Sequence, residues 1–153
     1  MAKGAQDWIA RTDILLQTLS ELIIRNKYGA YQLSSSYYLF LSIQEKTLVD
    51  ISGKGIIYGG VIRCAGVSGS KSDRVKLEID GVDTVYSDFE NYKDWNIVIP
   101  GARPLFITRY DLVIDYFAVS ISPGITFETS VKLIYDCKTA GPYVYWDFHY
   151  ATI

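Results

Sequence analysis

Between Ala5 and about Asn26, apolar residues recur at helical spacing, with Trp8, Ile9, Leu15, Leu16, Leu19, Leu22 and Ile23 on one broad stripe. Placing Trp8, Leu15 and Leu22 at d positions puts Thr12 and Leu19 at a, and Ile9, Leu16 and Ile23 at e. The stripe is wider than a two-stranded seam and calls for more than one partner surface. Asp7 suits the positive end of the helix dipole, and Arg25 and Lys27 the negative end. Gly29 is a natural stop. The spacing therefore predicts one amphipathic helix in an arm of residues 1–28, packed either on its own domain or in a bundle of copies. Trp8, Thr12, Leu15, Leu19 and Leu22 are the candidate oligomer interface. With fewer than three heptads, a bundle would need the rest of the protein as support.

After Gly29 the period changes to alternation and stays so. Strands are predicted over Tyr37 to Ile43, Thr47 to Ile51 after a polar break at Gln44-Glu45-Lys46, and Ile56 to Ala65 with Gly59-Gly60 interrupting it. Val75, Leu77 and Ile79 alternate with charged residues, giving one buried and one wet face. Asp80-Gly81 is a strong type I′ hairpin signal, with Val82 to Tyr86 as the return strand. A polar and aromatic loop, Ser87 to Trp95, leads through Ile97 to Ile99 towards Pro100 and Pro104. Phe106 to Ile121 reads as mostly strand, apolar on both faces near Val113 to Val119. Ile125 to Tyr135 alternates as one strand, and Tyr143 to Tyr150 is the last. Seven to nine strands with no second helix predict an all-β domain over 29–153: an antiparallel β-sandwich, jelly-roll-like, with one N-terminal amphipathic α-helix. An up-and-down barrel is the lesser alternative.

Composition changes the picture mainly by exclusion. The 153 residues carry a net charge of −2, which provides no bulk positive field for nucleic acid. One histidine and two cysteines cannot alone build a four-ligand zinc site of Cys/His type, and no metal or other cofactor is expected. Cys64 and Cys137 read as two small buried hydrophobes in a reducing compartment, a disulfide being the lesser alternative. No signal-peptide core and no apolar run of membrane-spanning length is visible, so a soluble protein made in the cytoplasm is expected, without membrane partners.

Candidate chemistry is thin. His149, flanked by Phe148 and Tyr150, has no assignable catalytic partner. Asp111, Asp115, Glu128, Asp136 and Asp147 could in principle supply a glycosidase pair, but Asp111 and Asp115, on one face of a predicted strand, read as solvated rim charges. Asp73, Asp80, Asp83 and Asp88 match no calcium loop and read as turn formers. The chain is expected not to be an enzyme. The 13 tyrosines are the compositional outlier. Tyr86, Phe89, Tyr92 and Trp95 are spaced through one loop, and Tyr143, Tyr145, Trp146 and Tyr150 crowd the last strand, groups suited to self-association or to glycan stacking. Tyr86, Phe89, Tyr92, Trp95 and Tyr143 are the candidate ligand or partner contacts.

The segment Trp8-Ile9-Ala10-Arg11-Thr12-Asp13, the strand start Ser52-Gly53-Lys54-Gly55 and the hairpin Ile79-Asp80-Gly81 together resemble small structural proteins of tailed phages and related viruses. That resemblance, one of layout over most of the chain, implies a virion component, such as a capsid decoration, head-fibre or tail protein. It would self-assemble, a homotrimer being favoured, and dock on other virion proteins. It carries no site residues across. A carbohydrate-binding or adhesin module, with glycans as partners, is the alternative expectation.

Overall fold

The computed structural model describes residues 29–101 and 103–153. The predicted arm, with Trp8, Thr12, Leu15, Leu19 and Leu22, lies outside the described residues. Ten strands form two antiparallel sheets packed together as a β-sandwich. The strands are β1 (Tyr31–Leu39), β2 (Gln44–Ser52), β3 (Gly55–Ala65), β4 (Arg74–Ile79), β5 (Val82–Asp88), β6 (Leu105–Asp111), β7 (Tyr116–Ile121), β8 (Ile125–Phe127), β9 (Ser130–Cys137) and β10 (Tyr143–Thr152). One sheet runs β1-β10-β3-β7-β6, with β8 also on β3; the other runs β2-β9-β4-β5. Each sheet turns alternate residues inward. Val49, Ile51, Val75, Leu77, Val131, Leu133 and Tyr135 of the smaller sheet meet Ile57, Ile62, Phe117, Val119, Val144, Trp146 and Phe148 of the larger. Each such buried side chain contributes roughly 1.5–3 kcal/mol.

Local chemistry explains several elements. Asp80 and Gly81 both adopt positive φ, 52° and 78°, as a type I′ turn requires. Opposite His149 and Tyr150, β3 carries an extra residue, Tyr58, and Gly59 takes φ 137° at this bulge. A Cβ on Gly60 would stand 2.6 Å from the Asp147 carbonyl oxygen, so only glycine lets β10 approach here.

Five predicted elements are corrected. The strand predicted over Tyr37 to Ile43 is β1, which begins six residues earlier at Tyr31 and ends at Leu39, so Ile43 falls in the bend before β2. The polar break at Gln44-Glu45-Lys46 belongs to β2, because Gln44 to Lys46 pair with Cys137 to Tyr135. The loop from Ser87 to Trp95 contains a helix, α1 (Phe89–Asp94), with Asp88 as its cap: the Asp88 carboxylate accepts the Asn91 N–H at 2.7 Å. Phe106 to Ile121 is a hairpin, not one doubly buried strand. The Asp111 carboxylate accepts the N–H of Val113 at 3.0 Å and of Ile114 at 3.3 Å, folding the chain back, while Asp115 takes φ 50°. The alternation from Ile125 to Tyr135 spans two sheets, since β8 pairs with β3 and β9 with β2 and β4. That crossing is pinned by Asp80, whose carboxylate accepts the N–H groups of Glu128, Thr129 and Ser130.

Candidate functional site

The sandwich has two unlike outer faces. On the four-stranded sheet, outward positions pair as ions: Lys132 with Glu78 at 3.2 Å, Lys76 with Asp83 at 3.3 Å, and Lys138 with Asp136 at 2.7 Å. Each pair joins one largely covered group, Glu78, Lys76 or Asp136, to a more exposed partner, so this face is polar and charge-paired. On the six-stranded sheet, the residues opposite the buried Val144, Trp146 and Phe148 are Tyr143, Tyr145, Asp147 and His149. Register sets Tyr37 beside Tyr145, Ser35 beside Asp147 and Leu33 beside His149. Tyr31, Leu33, Tyr37, Tyr58, Tyr143 and Tyr145 are all exposed there.

Two aromatic groups flank a polar centre on this face. At one end the Tyr31 ring stacks near Tyr58 and His149, at centroid distances of 6.4 and 5.8 Å, and the Tyr31 hydroxyl is hydrogen-bonded with His149 Nδ1. At the other end Tyr145 stands 5.9 Å from Tyr37 and 6.4 Å from Tyr143. Between them the Asp147 carboxylate accepts from Ser35 Oγ at 2.6 Å and from Arg63 Nη2 at 2.9 Å. Exposed rings with polar tips beside a charged pair can bury apolar area against a protein or stack on a sugar.

A second exposed apolar region lies at one end of the sandwich. Leu39, Tyr143, Ala65, Tyr116 and Asp111 are paired neighbours across the sheet, so the connections that follow or precede them emerge together. Those connections carry Leu41, Ile43 and the hairpin tip Leu112-Val113-Ile114, with Val113 93% exposed. The tip is held in place: Asp111 also meets Arg109 at 3.1 Å, and the Gly66 N–H donates to the Asp115 carbonyl at 3.3 Å. The Arg109 guanidinium and the turn N–H groups lower the Asp111 pKa. Asp111 and Asp115 thus belong to a turn, where the carboxylate of Asp111 is engaged by backbone donors.

The five predicted contact residues do not form one surface. Phe89 and Tyr92 are fully buried and are corrected from contact to core residues. Being three apart on α1, they point the same way, and Phe89 stacks 5.6 Å from Phe117. Burial raises the Tyr92 pKa. Tyr86 is exposed on the charged face, where its hydroxyl donates to Asp136 at 2.5 Å and the Arg74 guanidinium lies 4.9 Å from its ring. Trp95 is exposed after α1, with the Arg103 guanidinium 5.9 Å from its ring. Tyr143 alone belongs to the tyrosine-rich face. Of the aromatics crowding the last strand, Tyr145 joins it while Trp146 is buried; Tyr31, Leu33, Tyr37, Tyr58 and His149 were not among the predicted contacts. Their matching parity along β1 and β10 was the available signal, but only the pairing of the two strands joins them.

The buried polar groups act as struts. Asp73 accepts the Tyr135 hydroxyl at 2.7 Å and the Lys138 and Thr139 N–H groups at 2.6 and 3.2 Å. Burial raises its pKa against those hydrogen bonds. Cys64 and Cys137 are free and buried, and desolvation pushes their pKa values up to about 12 and about 11, far from thiolate reactivity. Among the described residues no group of three or more His, Cys, Asp or Glu side chains is arranged to hold a metal, and no helix is long and apolar enough to cross a membrane. No family model matches the chain, and no curated protein matches its sequence.

Proposed function

We propose that the protein is a virion structural component, a capsid decoration, head-fibre or tail subunit, that self-assembles and docks on a larger protein shell. The observation that carries the reading is the exposed face of Tyr31, Leu33, Tyr37, Tyr58, Tyr143 and Tyr145 on a two-sheet scaffold. Its strand order supports a jelly-roll reading. β1 pairs with β10, β2 with β9, β3 with β7 and β4 with β5, the nesting of one long hairpin rolled into two sheets. Jelly rolls serve viral capsids and also lectins, and fold by itself does not choose between them. The turn-held apolar tip at Leu112 to Ile114 favours docking on protein, because a preorganised apolar projection loses little entropy on burial. In this reading no catalytic group takes part, the subunit resides in the virion after synthesis in the host cytoplasm, and its partners are its own copies, a trimer favoured, and other virion proteins. Light scattering of the full chain at micromolar concentration is expected to give an oligomer, and Leu15→Asp with Leu19→Asp to dissociate it. A monomeric unsubstituted protein would overturn the reading.

A second reading is a carbohydrate-binding module, favoured by the row Tyr37, Tyr145, Tyr143 beside Arg63 and Asp147. Clear glycan-array binding that is lost in Tyr145→Ala or Trp95→Ala would favour it; silence together with a stable oligomer favours the virion subunit.

A further inference from the structure

Four strands end the two sheets, and three of them are protected against edge-to-edge pairing. In β2 the edge carries Glu45, Lys46 and Asp50, and Leu48 is an extra residue between Thr47 and Val49. In β5 it carries Asp83 and Asp88, and Thr84 is extra between Asp83 and Val85. In β6 it carries Arg109 and Asp111 and a bulge at Thr108, and the Ile107 N–H donates outward to the Ile97 carbonyl at 2.7 Å. Charges, bulges and covering segments are the usual means of blunting an exposed edge.

The fourth end strand, β1, has none of them among the described residues. It runs nine residues, Tyr-Gln-Leu-Ser-Ser-Ser-Tyr-Tyr-Leu, with no charged residue, proline or glycine. Its register against β10 is one to one from Tyr31↔Ala151 to Leu39↔Tyr143, without a bulge. An edge of this length and regularity presents a row of backbone donors and acceptors to another strand. On the face shared by Tyr31, Leu33, Ser35, Tyr37 and Leu39 the strand is symmetric in character about Ser35, with a large aromatic or aliphatic residue two and four places away on either side. Reversed and set antiparallel, Leu33 meets Tyr37, Ser34 meets Ser36 and Tyr31 meets Leu39, with three small serines at the centre. That self-complementarity is what a two-fold contact demands, since each residue must fit the surface its own copy presents.

We propose that β1 pairs antiparallel with β1 of a second copy, about a two-fold axis at Ser35. The inference rests on the self-assembling reading above and deepens it by naming the surface. The two six-stranded sheets would become one continuous sheet, and the exposed rings of Tyr37 and Tyr145 would lie beside Leu33 of the partner copy.

Cysteine cross-linking of the full chain reads the register directly. Directly opposite residues in an antiparallel pair lie about 4.5–5.5 Å apart at Cα, within disulfide reach. Ser35→Cys is therefore expected to give a covalent dimer under mild oxidation at micromolar concentration. Leu33→Cys alone is expected to give none, because two such residues would stand roughly 13 Å apart along the strand. A mixture of Leu33→Cys and Tyr37→Cys should cross-link. Ser35→Glu, which sets two like charges at the axis beside the Asp147 carboxylates, should weaken self-association roughly tenfold or more. Far-UV circular dichroism checks that each variant is folded. A folded Ser35→Cys protein that oligomerises by light scattering but does not cross-link overturns the edge pairing and leaves self-assembly standing. Equal cross-linking of Leu33→Cys alone overturns the register, and a monomer overturns both readings.

Discussion

Replacing Asp73 with alanine removes the acceptor for one buried hydroxyl and for two part-buried backbone N–H groups. The Tyr135 hydroxyl lies at 2.7 Å inside the core, and the Lys138 and Thr139 N–H groups reach the same carboxylate from the connection between β9 and β10. Each buried donor left without a partner costs about 1–3 kcal/mol. The gross loss is partly offset, because burial already disfavours the charged carboxylate, as its raised pKa records. A net destabilisation of about 2–3 kcal/mol follows, most of it from the buried hydroxyl, or a drop in Tm of roughly 6–12 °C for a domain of this size. Asp73→Asn keeps an oxygen for the two N–H groups and should cost only about 1–2 kcal/mol. Tyr135→Phe should cost a similar amount, and less in the Asp73→Ala background, where the hydroxyl is already orphaned. Urea unfolding followed by tryptophan fluorescence, with a double-mutant cycle across Asp73 and Tyr135, measures these values. An Asp73→Ala protein within about 1 kcal/mol of the parent would refute the assignment of this carboxylate as the strut between β4 and β9.

Acid titration should separate two aspartates of opposite sign. The N–H groups of Thr129, Glu128 and Ser130 lower the Asp80 pKa from 3.8 to about 2, so its ionised form contributes stability above about pH 4 that is lost as pH falls towards 2. Asp80→Asn should therefore flatten the acid limb of stability against pH. Burial raises the Asp73 pKa above 3.8, so its contribution is fully present below that value and declines as pH rises through the folded pKa; Asp73→Asn should remove that decline. Cys64 and Cys137 should stay unreactive towards a thiol reagent at pH 8 until denaturant unfolds the domain, and prompt labelling of the native protein would contradict their burial. Val113→Ser with Leu112→Ser should leave stability within about 0.5 kcal/mol of the parent while lowering binding of a hydrophobic dye, because these side chains face solvent.

Much of the β domain was legible in the chain because its signals are local. Alternation in Val75, Leu77 and Ile79 marked the buried face of β4, and Asp80-Gly81 announced the turn that follows it. Gly59-Gly60 marked the interruption that is the bulge opposite His149. The failures share a different cause. Leu112-Val113-Ile114 looked like core because hydrophobicity alone cannot say that the Asp111 carboxylate bends the chain there and leaves the three side chains in solvent. Phe89 and Tyr92 looked like surface because α1, six residues long, is too short for its period to register. Ile125 to Tyr135 kept one alternation across a change of sheet, since the period of two does not depend on which partner a strand finds.

The sequence by itself determined the strand-rich character, the main turns and the unusual supply of tyrosine, all properties of neighbouring residues acting through backbone conformation and side-chain period. Only the tertiary structure decided where that tyrosine goes. β1 and β10 come from opposite ends of the described chain, and their pairing brings Tyr37 against Tyr145 and Tyr31 against His149 on one face. The same pairing leaves the uncharged β1 at the end of its sheet among the described residues. A face and an edge are products of long-range pairing, and no window along the chain contains both partners.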